Sequence, residues 1–172
     1  MAIEFLSVDV LERWVSEPRI SLSVLRFGFD AGWVSAQQVV EVELSRYKRG
    51  EKIAADEELL AFLLSDELDV VAQILSRNER NEPESSLLWF YSAGEELRSM
   101  WDRRLAPEED LYEILEALGL DERYRRLVYF QPVSIFKGKR RLSDLKNILE
   151  VELDDLRGRL LSLKEAGNHH AE

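Results

Sequence analysis

The stretch LSVLRFGFDAGWVSAQQVVEVELSRY, residues 22–47, indicates the fold class most clearly. Apolar side chains are dense enough before Gly32 for a buried helix, and glycine readily adopts the left-handed conformation that ends one. Ser35 stands three residues before Gln38, which is the spacing of a capping box, so a second helix is expected from about 36 to 47. The stretch therefore predicts two helices joined by a turn of a few residues.

Helix signals recur along the rest of the chain. Pro107 is followed by three acidic residues, which is typical of a helix start, and Gly119 predicts the end of that helix. Ser143 predicts the start of a final helix that runs to about Lys164. Residues 77–86 contain no apolar side chain and predict a solvated loop between two helices.

The composition as a whole predicts an all-α protein. With 45% hydrophobic residues, 8 Gly and 4 Pro in 172 residues, the chain is too apolar for disorder and too poor in turn residues for a many-stranded sandwich. We expect a single domain over residues 1–165, with about seven to nine helices packed as antiparallel hairpins, and a disordered tail at 166–172. A minor β element near 127–136 is the one exception, and Pro132 argues against a central strand there.

Most catalytic chemistry is excluded for want of suitable residues. The chain has no cysteine, which removes thiol catalysis, thiolate metal ligands and disulfides. Its two histidines, His169 and His170, are adjacent in a polar tail and offer no general base in the folded part. The glycines form no phosphate-binding pattern. We therefore expect no enzyme, cofactor or bound metal, although catalysis by carboxylates, tyrosine or lysine alone stays an alternative.

The beginning of the sequence carries no targeting signal. Glu4 and Asp9 interrupt the first apolar stretch and no basic region precedes it, so no signal peptide is predicted. No run approaches the roughly 18 apolar residues that a membrane span requires. Together with the lack of cysteine, this indicates a cytoplasmic protein without a membrane partner.

Charge is unevenly distributed within a net charge of −11. Residues 51–84 and 85–122 each carry ten acidic and three basic side chains. A rigid surface of carboxylates can imitate a phosphate backbone and attract the basic active site of a nuclease, although an ordinary soluble surface explains the pattern equally well. We predict two acidic partner-binding clusters: Asp56, Glu57, Glu58, Asp66, Glu67 and Asp69 in the first, and Glu108, Glu109, Asp110 and Glu113 in the second.

Residues 123–146 have the opposite balance, with eight basic and one acidic side chain. The basic stretch at 137–141 supports the alternative hypothesis of a nucleic-acid-binding or regulatory module, because lysine and arginine contact phosphates. The competing explanation is that these residues neutralise acidic helices or form a solvated loop. The net negative charge favours that explanation and makes nucleic acid the less favoured partner.

Two segments resemble an uncharacterised bacterial helical family, domain of unknown function 2247. In RISLSVLRFGFDAGWVSAQQVVEVELSR the similar feature is an apolar helix ending in Gly-x-x-x-Gly-Trp, from Gly28 to Trp33, before a Ser-capped helix. In DEELLAFLLSDELDVVAQIL it is an apolar helix, a short acidic turn and another helix. A Trp-bearing helix, an acidic helix and the segment from Tyr129 to Pro132 complete the order.

The resemblance implies an immunity role beside bacterial polymorphic toxins, and it brings no catalytic residues. Combined with the acidic charge, it predicts a non-catalytic protein that neutralises a toxin domain, with a nuclease as one candidate, by direct binding. The sequence leaves the oligomeric state and the identity of the toxin open.

Overall fold

The computed structural model describes residues 2–15, 20–79, 81–128 and 138–168. All regular structure in these ranges is helical, which confirms the all-α prediction. The α-helices there are α1 (Val8–Trp14), α2 (Leu22–Asp30), α3 (Ala36–Lys48), α4 (Ala55–Ala61), α5 (Val71–Ser76), α6 (Glu82–Met100), α7 (Pro107–Ala117), α8 (Arg125–Val128) and α9 (Gly138–Asn168). Short 3₁₀ helices occupy Ala2–Phe5, Leu68–Val70 and Trp101–Arg103. Within the same ranges, no helix combines the length and the apolar composition needed to cross a membrane.

The helices group into two compact units. Ile20–Ser85 forms one, which we call the α2–α5 unit, and the described residues of Met1–Arg19 and Ser86–Glu172 form the other, which we call the α7–α9 unit. The domain boundary predicted at residue 165 stays a prediction. Residues 169–172 of the predicted tail lie outside the described residues, whereas 166–168 belong to α9.

Local signals determine the first helix pair of the α2–α5 unit. Gly32 has φ +78° after the end of α2, as its position after an apolar helix predicts. The Ser35 N–H donates to Gln38 Oε1 at 2.9 Å, and the Gln38 N–H donates to Ser35 Oγ at 3.2 Å. This reciprocal pair is the predicted capping box, and α3 begins at the next residue.

Three predicted boundaries differ from the structure. Helix α6 begins at Glu82, inside the predicted loop at 77–86, because polar residues such as glutamate extend a helix as readily as apolar ones. Helix α9 begins at Gly138, so Ser143 lies inside the helix and is not its cap. The expected β element at 127–136 begins with two residues that belong to α8. Its other residues, 129–136, lie outside the described residues.

Helices α6 and α9 approach each other closely in the α7–α9 unit. One face of α9 is buried through Leu145, Leu149, Leu153, Leu156 and Leu160, which recur at helical spacing. At Gly94 of α6, an added Cβ would lie 2.8 Å from Leu153 Cδ2. The absence of a side chain at Gly94 therefore permits this helix packing.

Candidate functional site: an acidic groove along α7

Helix α7 has one buried face and one acidic exposed face. Its buried residues are Pro107, Asp110, Leu111, Ile114 and Leu115. Its exposed residues are Glu108, Glu109, Tyr112, Glu113 and Glu116, with Ala117 at its last position. Tyr112 is 45% exposed although it is a large aromatic residue, and α7 contains no lysine or arginine. The exposed face is thus four carboxylates around one tyrosine.

A groove of about 410 Å³ runs along this face, and we call it the α7 groove. The wall from α7 consists of the four glutamates and Tyr112, and apolar side chains of α8 and α9 complete the lining: Leu127, Val128 and Leu145. A second depression of about 450 Å³ adjoins it, because Glu109 and Glu113 line both. Leu105, which is fully exposed, lies in the lining of this second depression. Carboxylates and apolar surface therefore occur side by side.

Arg104 fixes the beginning of α7. Its guanidinium donates to Asp110 through Nε and Nη2, at 2.8 and 2.9 Å, and pairs with Glu4 at 2.6 Å. The guanidinium carbon also lies 5.1 Å from the centre of the Phe5 ring. The hydrogen bonds to Asp110 outweigh desolvation and raise the pKa of Arg104. Asp110 therefore stabilises the helix start, and it does not belong to the exposed acidic surface that the sequence predicts.

The helix dipole explains only part of the acidic face. Glu108 and Glu109 lie in the first turn, where the positive end of the dipole stabilises carboxylates. Glu113 and Glu116 lie beyond that turn. Carboxylates spaced three or four residues apart on one helix repel each other by about 0.2–0.5 kcal/mol per pair. The helix dipole therefore does not account for the carboxylates in the second half of this face.

The first predicted acidic cluster is divided between exposed and buried positions. Glu58, Asp66, Glu67 and Asp69 are exposed. Asp56 is half-buried and accepts a hydrogen bond from the Asn78 amide at 3.3 Å. Glu57 is only 5% exposed, so it too is removed from the predicted surface.

Glu57 belongs to an ion-pair centre around Arg46. Arg46 is 2% exposed and donates to Glu43, which is fully buried, at 2.7 and 2.8 Å. Its Nη2 and Nε donate to Glu57 and Glu51, both at 3.1 Å, and the second oxygen of Glu57 accepts the N–H of Ala54. These contacts join α3 to the start of α4. We call this set the Arg46 centre.

The Arg46 centre shifts the titration of its own members. Burial lowers the pKa of Arg46, but the charges of Glu43 and Glu57 outweigh it and the pKa is raised. Burial raises the pKa of Glu51, but hydrogen bonds from Arg49 and Arg46 outweigh it and the pKa is lowered. Both shifts favour the charged forms, as expected for an ion-pair centre that stabilises the fold.

The structure brings together three of the predicted residues, Glu108, Glu109 and Glu113, in the α7 groove. Sequence reasoning assigned no partner-binding role to Tyr112 or Glu116, although the helical spacing of 109, 112, 113 and 116 was a usable signal. The side chains of the basic stretch 137–141 lie outside the described residues, so the alternative hypothesis stays a prediction. In the part of the chain that the structure describes, no three acidic or histidine side chains are placed to hold a metal ion.

Comparisons with known proteins give one finding. Neither the curated proteins nor the solved structures include a match to the chain. The model of one protein family matches residues 14–153, which is most of the chain and includes α7 and the described residues that line the α7 groove. The chain therefore belongs to the family described as "Uncharacterized protein conserved in bacteria (DUF2247)".

Proposed function

We propose that this protein is an immunity protein that binds a basic toxin domain through the α7 groove and blocks its active site. The observation that carries the proposal is the exposed face of α7, where four glutamates surround Tyr112 beside apolar side chains. The protein needs no chemistry of its own for this role, since occupying the active site is sufficient.

The groove matches the chemistry of long basic side chains. Lysine and arginine have apolar stems and charged ends, so their stems can contact Leu127 and Leu145 while their charges meet the carboxylates of α7. An exposed tyrosine between these groups is a typical hot spot, because its ring supplies contact area at low cost in conformational entropy. The active site of a nuclease is rich in such basic groups. A nuclease domain is therefore the favoured toxin class.

The acidic face is also held rigidly, which favours tight binding. Arg104 fixes the first turn of α7 through Asp110 and Glu4. At the other end, Gly119 has φ +64°, and the Leu120 N–H donates to the Leu115 carbonyl at 2.8 Å. Because a rigid face loses little conformational entropy on binding, more of the contact energy contributes to affinity. The four exposed glutamates of α7 are expected to accelerate association with a basic partner.

The test is protection of cells that express the toxin domain encoded beside this protein. Charge reversal of Glu109 and Glu113 to lysine is expected to slow association by about tenfold or more at low salt and to reduce protection. Reversal of Asp154 and Asp155, two exposed carboxylates of α9, is the matched control because it changes the net charge equally. If both double variants act equally, only total charge matters. If the wild-type protein neither binds nor protects, the proposed function is wrong.

A further inference from the structure

A group of exposed apolar side chains lies in the α2–α5 unit. Tyr47, Leu59 and Phe62 are 44%, 48% and 54% exposed. The rings of Tyr47 and Phe62 are in edge-to-face contact, with centroids 4.7 Å apart. Leu59 lies in α4, and Phe62 follows it three residues later at the C-cap of that helix. We call these three residues the aromatic patch.

The size of the aromatic patch distinguishes it from scattered apolar residues. Large side chains of this kind have about 150–250 Å² of surface each, so three at about half exposure leave roughly 300 Å² of apolar area. Contiguous apolar areas of roughly 300–600 Å² on a monomer often bind a partner. Leu64, two residues after Phe62, is a second exposed leucine, at 64%. The patch therefore has the area of a small docking surface.

The Arg46 centre holds the two halves of the patch together. Tyr47 directly follows Arg46 in α3, and Leu59 and Phe62 follow Glu57 in and after α4. Because Arg46 donates to Glu57, the end of α3 is joined to the start of α4. The patch is thus presented by a fixed part of the fold.

Charge around the patch differs between its two sides. Glu58 lies one helical turn before Phe62, and Asp66, Glu67 and Asp69 are exposed farther along the chain. No lysine or arginine occurs from residue 53 to residue 76. On the other side, Lys48 ends α3 and exposed Arg49 follows it, paired with Glu51, while exposed Lys52 lies between α3 and α4. An occupant must therefore offer an apolar face and basic residues that meet the carboxylates of the α4 side.

We propose that the aromatic patch binds a basic amphipathic helix of a partner protein. Such a helix presents apolar residues at intervals of three or four, which fits the paired rings and Leu59, and its basic residues meet Glu58 and the acidic residues after it. A second copy of this chain fits poorly. Each copy has a net charge of −11, so two copies repel each other, whereas a basic helix is attracted. The proposal does not rest on the toxin-binding role of the α7 groove.

The test measures binding of synthetic peptides to the full-length protein by fluorescence anisotropy. The probe is a leucine–lysine amphipathic peptide of about 18 residues, which is long enough to form a helix on binding. A leucine–glutamate peptide controls for charge, and a serine–lysine peptide controls for the apolar face. We expect the double substitution Leu59→Ser and Phe62→Ser to weaken leucine–lysine binding about tenfold or more. Val151→Ser, at an exposed apolar residue of α9 that lies in neither surface, is the matched control and is expected to change it less than about twofold.

Each other outcome contradicts the proposal. Equal binding of the serine–lysine peptide means attraction by charge alone, and no saturable binding of the leucine–lysine peptide means that the patch is not a docking surface. If Tyr112→Ser weakens binding of the leucine–lysine peptide and Phe62→Ser does not, the peptide binds in the α7 groove. If the protein self-associates in sedimentation experiments and Phe62→Ser abolishes this self-association, the patch binds a second copy of the chain. Circular dichroism of each variant separates these results from misfolding.

Discussion

Replacing Arg46 with alanine is expected to destabilise the α2–α5 unit strongly. The substitution removes the guanidinium that donates to Glu43, Glu51 and Glu57, two of which are buried. Removing one partner of a buried ion pair costs about 3–5 kcal/mol, because the remaining charge stays buried without its counter-ion. We expect a loss of about 4 kcal/mol in the free energy of unfolding. With a typical urea dependence of about 2 kcal/mol per molar, the unfolding midpoint falls by about 2 M.

The control for this prediction is Arg49→Ala. Arg49 is exposed and pairs with Glu51 at 2.8 Å, so its loss is expected to cost no more than about 1 kcal/mol. Urea unfolding followed by far-ultraviolet circular dichroism measures both variants. If Arg46→Ala lowers the midpoint no more than Arg49→Ala does, the buried ion pairs do not stabilise the fold as we infer.

Three further predictions concern packing and pH. Gly94→Ala is expected to lower the melting temperature, because the new Cβ lies against buried Leu153; the net cost is about 1 kcal/mol after the gain in helix propensity. Gly158→Ala has open space around it and is expected to raise the melting temperature. The pKa of Glu51 is lowered in the folded state. Its contribution to stability is therefore present above its unfolded pKa and is lost as the pH falls through the folded pKa. The difference in stability between the wild type and Glu51→Gln should shrink in acid. Burial raises the pKa of Tyr124. The stability that depends on the protonated form of Tyr124 is therefore present below the ordinary tyrosine pKa and is lost as the pH rises through the folded value. Tyr124→Phe should remove a late component of the tyrosinate absorbance titration.

Features set by neighbouring residues could be predicted from the sequence. The capping box of Ser35 and Gln38, Pro107 at the start of α7 and the left-handed Gly119 each depend on a few consecutive residues. The start of α6 was missed although a local signal was present: Asn81 precedes Glu82, Pro83 and Glu84, and proline and glutamate are typical of a first helical turn. A contact that the sequence does not show also fixes this start, because the Asn81 N–H donates to Ser23 Oγ at 2.8 Å, 58 positions earlier.

The candidate site was predictable only in part for the same reason. Charge counting indicated the acidic segment of α7, but it could not separate Asp110 from its exposed neighbours. Burial of Asp110 depends on Arg104 and on Glu4, which is distant in the sequence. The apolar part of the lining likewise comes from α8 and α9, including Leu145. Patterns within one segment indicate its charge, whereas tertiary packing decides which charges stay exposed.

Hydrogen exchange in the complex with the basic toxin domain tests the α7 groove most directly. If the groove is the binding surface, amide protection should increase in the segments that line it, at 105–116, 127–128 and around residue 145. The exposed part of α9 near residues 154 and 155 should exchange as in the free protein. Protection that leaves 105–116 unchanged and occurs elsewhere on the chain would contradict the assignment of the α7 groove as the toxin-binding surface.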